Sequence, residues 1–202
     1  MIYKLNNYKV IEFWNWFSKN CQNFGDNFDN TSLLEELDTR ILSLGDFSWE
    51  IGPGKIQENS LVISPNGDLE LLQVTKMIIA NSKNCLGWEY HYAKPPKDWE
   101  LKFEYSTRSG EQINVDACNW KYILLRYEDG MFEIIIKTQS LSNMRYDDRL
   151  AIVEIALDGI LGEEMRMQNI ADINLVDDFE ISQRAEAGNI NDLLNHLLTF
   201  IS

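Results

Sequence analysis

A chain of 202 residues with 45% apolar and 25% charged side chains can bury a core without disulfide or metal staples. Thirty-two carboxylates against eighteen scattered lysines and arginines leave a formal charge of −14. That field repels phosphate backbones and anionic lipid, so it argues against nucleic-acid binding and membrane docking and favours a basic partner or simple solubility.

Cys21, Cys85 and Cys118 are far apart and form no C-x-x-C pair, which points to free thiols in a reducing compartment. The first residues lack the basic and apolar regions of an export signal. No apolar run approaches the ~20 residues that span a bilayer, so the cytoplasm is the expected location.

In chain order, Val10, Phe13, Trp14, Phe17, Cys21 and Phe24 recur at three- and four-residue steps and predict an amphipathic helix over 8–24, stopped by Gly25-Asp26. Trp16 falls off that stripe. Asn30-Thr31-Ser32 offers caps for a helix over 32–44 with Leu33, Leu34, Leu37, Ile41 and Leu44 on one face, closing at Gly45. Residues 8–44 therefore read as a helical hairpin.

The period then changes to two. Phe47, Trp49 and Ile51 alternate with polar residues as a strand, broken at Gly52-Pro53-Gly54. Leu61-Val62-Ile63 is a second strand, and Asp68 caps a helix over 69–81. Trp88, Tyr90 and Tyr92 alternate as a further strand, ended by Pro95-Pro96. Strands follow over 101–105 and 113–117, and 120–127 is apolar on both faces. Asp129-Gly130 turns that strand into 132–136. A helix from about 147 to 160, a strand over 170–176 and a closing helix over 190–200 complete the chain.

These elements predict an α+β fold: one domain over 1–202, a mainly antiparallel sheet and helices on one face. Residues 47–92 and 120–176 both read hairpin, helix, strand, a repeat that duplication or ordinary α+β grammar would produce.

Catalytic motifs are absent. No phosphate loop, nucleophile elbow or zinc-binding histidine pattern is present, and only His91 and His196 are available to a metal, so neither a metal site nor a cofactor is expected. His91 shares a strand face with Glu89, the minimum kit for general base work, although a cross-strand polar pair is the simpler explanation. With Glu50 and Lys94 these residues form the candidate ligand-binding set. Asp172, Asp177, Asp178 and Glu180 form an acidic cluster suited to a partner's cations, and Glu154 with Asp158 forms a smaller one. Trp49-Glu50, Trp88-Glu89 and Trp99-Glu100 repeat one dipeptide near strand starts, with the tryptophans expected inward and together. Trp16 is the candidate exposed interface anchor.

The strings Phe13-Trp14-Asn15-Trp16-Phe17, Trp49-Glu50-Ile51-Gly52-Pro53, Ile63-Ser64-Pro65-Asn66-Gly67-Asp68 and Gly87-Trp88-Glu89-Tyr90-His91-Tyr92-Ala93-Lys94-Pro95-Pro96 resemble an uncharacterised family of acidic bacterial α+β proteins. The resemblance covers roughly the first half. It implies a bacterial cytosolic origin and brings no activity or site residue with it. Two functions remain: a non-catalytic, immunity-type protein that masks a basic partner, or a small-molecule enzyme or sensor with a cleft near Glu50, Glu89, His91 and Lys94.

Overall fold

Three side chains start three helices. Asn6 accepts the Tyr8 N–H at 3.0 Å, Asn30 that of Leu33 at 3.3 Å and Asp68 that of Glu70 at 2.8 Å. Each cap satisfies an otherwise orphaned donor, a contribution of about 1 kcal/mol. They open α1 (Asn7–Asn20), α2 (Thr31–Leu42) and α3 (Leu69–Ala80) in a computed structural model that describes residues 5–25 and 27–201. Asp26, expected in the stop of the first helix, lies outside the described residues.

The fold is α+β with mostly antiparallel strands, and the described strands form no closed barrel. Its contacts group into two compact units, Met1–Lys94 and Pro95–Ser202. The division falls at Pro95-Pro96, which the alternation marked only as a strand end.

In the first unit β1 (Ser48–Pro53) pairs antiparallel with β2 (Asn59–Ser64), and β3 (Trp88–His91) lies parallel on the other side of β2. The register puts Trp49, Ile51, Leu61, Ile63, Trp88 and Tyr90 on one face. All three helices cover that face, with Phe13, Trp14, Phe17, Leu37, Ile41, Val74 and Ile78 in the same core. Each such large apolar side chain stabilises the fold by about 1.5–3 kcal/mol. The buried Trp14 indole donates to the Ile78 carbonyl at 2.8 Å, which removes the cost of burying its N–H.

The second unit begins with the hairpin β4 (Lys102–Ser106) and β5 (Gln112–Asp116). A four-stranded sheet follows, built from β6 (Lys121–Arg126), β7 (Phe132–Lys137), β8 (Ile170–Val176) and the two-residue β9 (Gly188–Asn189), in the order β8-β7-β6-β9. Its inner face carries Tyr122, Phe132, Ile134, Ile136, Ile173 and Leu175. These pack with Ile152, Val153 and Leu157 of α4 (Tyr146–Leu161) and with Leu193 and Leu197, which belong to the closing α6 (Leu193–Ile201). On the outer face, Phe179 covers Ile123 and Ile135.

Pairing is mainly antiparallel, as expected; among the described residues the strands form three sheets where one was expected, and β3 and β8 join theirs in parallel. The reason is the helical crossover before each of these strands, which returns the chain to the sheet in its original direction. Both units thus contain a hairpin, a helical connection and a strand parallel to the hairpin's second strand. Helix α5 (Glu163–Asn169) was not expected; Gly162, at φ +81°, ends α4 and lets the chain turn directly into it.

Candidate functional site

The Glu89–His91 pair forms as its two-residue spacing predicts, with His91 Nε2 3.1 Å from Glu89 Oε1. The carboxylate is otherwise engaged. Its Oε1 accepts the Lys55 N–H at 2.8 Å, and its Oε2 accepts those of Ile56 at 2.8 Å and Gln57 at 2.9 Å. These donors lie in the loop between β1 and β2, so Glu89 holds that loop against β3. Its side chain is only 12% exposed. The Lys55 N–H, helped by those of Gln57 and Ile56 and by His91, outweighs partial burial and brings the acid down to about 2. A carboxylate so low and so occupied is a poor general base at neutral pH.

Glu50 shares this face. It pairs with Val62 on one side while His91 pairs with Val62 on the other, so Glu50 and His91 flank the buried Val62 about 10 Å apart. Lys94 lies half-buried beyond the end of β3.

Trp16 departs from its expected exposure. It is half-buried, with ring contacts to Phe13, Phe17 and Phe24, and the Arg40 guanidinium lies 4.8 Å above its centroid. The reason is α2, whose Arg40 is fixed by Glu36 at 2.7 Å and caps the ring. The three Trp-Glu dipeptides divide. Trp49 and Trp88 join the core of the first unit, whereas Trp99 packs in the second against Gly159, where a Cβ would run into the indole.

The acidic cluster divides as well. Asp177 pairs with Arg149 at 2.8 Å; Asp178 pairs with Lys137 at 2.8 Å and Arg184 at 2.7 Å. Lys137 and the other partners hold Asp178 below the usual carboxylate range. These two were expected to await a partner's cations and instead have their own. Glu180 is exposed, and its backbone N–H donates to the Gln183 side chain at 3.4 Å. Asp158, of the smaller cluster, is buried against Arg166 of α5, with Glu154 at 3.9 Å from the same guanidinium. Burial opposes charge on Arg166, but Asp158, Glu154 and the buried Glu163 together raise its pKa.

Asp172 stands apart from this pattern. The parallel register of β7 and β8 sets it opposite Glu133, on the outer face of the sheet. The Tyr127 hydroxyl lies 3.0 Å from Glu133 Oε2 and 3.0 Å from Asp172 Oδ2, and it has one proton for the two acceptors. The Asn174 amide donates to the second Glu133 oxygen. Among the described residues, no lysine or arginine lies within ion-pair distance of either acid. The hydrogen bond to Glu133 is the first cause that pushes the Tyr127 phenol up to about 12, followed by burial and Asp172. Like charges opposed across paired strands repel, and an incoming ammonium or guanidinium would relieve them while gaining charge-assisted hydrogen bonds.

Sequence reasoning singled out Asp172 but not Glu133, Tyr127 or Asn174, which the structure sets beside it. Tyr127 is 45 residues from Asp172, and only the parallel pairing brings them together. The one available signal was Glu133, a carboxylate among the apolar residues Phe132, Ile134, Ile135 and Ile136.

No protein-family model, curated protein or solved structure matches the chain, so the resemblance to acidic bacterial α+β proteins assigns no role to any of these residues. No described helix is long and apolar enough to cross a membrane.

Proposed function

We propose that this chain is a non-catalytic interaction protein of the cytoplasm, of immunity type, that binds a basic protein partner. The observation that carries the reading is the corner formed by Glu133, Asp172 and Tyr127, where two register-matched carboxylates share one hydroxyl and have no cationic partner among the described residues. The charge distribution supports it. Residues 95–202 hold twenty of the thirty-two carboxylates and ten of the eighteen lysines and arginines, so the unit that bears this corner is the more acidic one. A surface of that sign steers a cationic protein toward it and repels nucleic acid.

The test is capture from native lysate, at low and moderate salt, with wild-type bait and a Glu133→Gln/Asp172→Asn double variant. A basic protein retained by the wild type and released by the variant is expected. Retention of no basic protein, or equal retention by both baits, contradicts the reading.

A further inference from the structure

We infer that the partner's basic segment docks by strand addition, as an extended stretch of polypeptide paired along β8; this deepens the interaction reading above and rests on it. Among the described residues, strand β8 is the end strand of its sheet, with β7 as its one hydrogen-bonded neighbour. It is seven residues long, and its ladder to β7 is regular from Asp172 to Val176, with one irregularity confined to the start. Edge strands commonly deter pairing through bulges, proline, charged side chains (lysine above all) or very short length. The opposite end of the same sheet uses the last device, since β9 has two residues. The sequence Ile-Ala-Asp-Ile-Asn-Leu-Val of β8 contains neither proline nor lysine.

The outer face selects the occupant. Along β8, Ile173 and Leu175 turn inward to the core, while Asp172 and Asn174 are exposed on the other face beside Glu133. A neighbouring strand on the open side would place its same-face side chains about 5 Å from those of β8. A lysine or arginine there reaches Asp172 and relieves the Glu133–Asp172 opposition. Alternation of cationic and apolar residues is thus the matching pattern, with main-chain hydrogen bonds contributing affinity and the cation setting specificity. A second copy of this chain fits poorly. Two-fold pairing of β8 with itself would oppose edges that each carry Asp172 and no lysine or arginine.

The experiment uses the full-length protein and three synthetic seven-residue peptides: alternating Lys-Val, the same peptide N-methylated along its backbone, and alternating Glu-Val. Binding is followed by titration and by amide hydrogen exchange of residues 170–176. The Lys-Val peptide is expected to bind, to slow β8 exchange and to lose at least fivefold in affinity with Asp172→Asn, while the other two do not bind. Equal binding of the N-methylated peptide would overturn strand addition and leave attraction to a basic partner standing. Failure of the Lys-Val peptide to bind, or concentration-dependent dimers that protect β8 without peptide, would also overturn it.

Discussion

A carboxylate that accepts three backbone N–H groups, as Glu89 does, differs from one that waits for a substrate proton. Its lone pairs are occupied, and its charged form is stabilised by donors that cannot move away without opening the loop before β2. Protonation therefore acts on stability. A depressed folded-state acid contributes above its unfolded pKa and loses that contribution as the pH falls through the folded value. For Glu89 the window runs from about 4.5 down to about 2. Glu89→Ala is expected to destabilise the protein by about 1–3 kcal/mol at pH 7 by removing the charged acceptor that three loop N–H groups share, and the difference from wild type should vanish toward pH 2. Denaturant titrations at several pH values would show it; a constant difference across that window would contradict the role. Strand alternation made the nearness of Glu89 and His91 legible. It could not reveal the three donors, which come from a loop more than thirty residues earlier.

At the scale of elements, periodicity was sufficient wherever one face is buried. The Phe13–Trp14–Phe17 stripe, the Asp68 cap and the Asp129-Gly130 turn all stand where their chemistry places them; Gly130 has φ +89°, and Asp129 accepts the Met131 N–H at 3.0 Å. What alternation cannot encode is which strands become neighbours, or in which direction. The parallel placement of β8 followed from the α4–α5 connection, and α5 itself was hidden because its short sequence is dominated by polar and charged residues. Its Arg166 nevertheless helps to fix that connection. With Asp158 and Glu163 buried around it, truncation would remove the cation beside two buried carboxylates. Arg166→Ala is expected to cost about 3–5 kcal/mol in unfolding free energy, whereas exposed Arg145→Ala, whose ion pair with Asp147 is 3.9 Å and solvated, should cost less than about 1 kcal/mol. Equal effects in chemical denaturation would show that the buried cluster does not secure the turn.

For the molecule as a whole, net charge is the property that composition stated most plainly, and folding redistributes its meaning. Arg149, Lys137 and Arg184 neutralise the run at Asp177 and Asp178, while Glu133 and Asp172 are left facing each other beside an open strand edge. On the proposed reading, that corner is where the −14 charge is directed at a partner. Titrating isotope-labelled full-length protein with a short lysine oligomer, and following amide and side-chain resonances residue by residue, tests this most directly. Saturable shifts should centre on Tyr127, Glu133, Asp172 and Asn174 and weaken as salt rises. Shifts spread evenly over the exposed carboxylates, or centred on Asp177 and Asp178, would contradict the account.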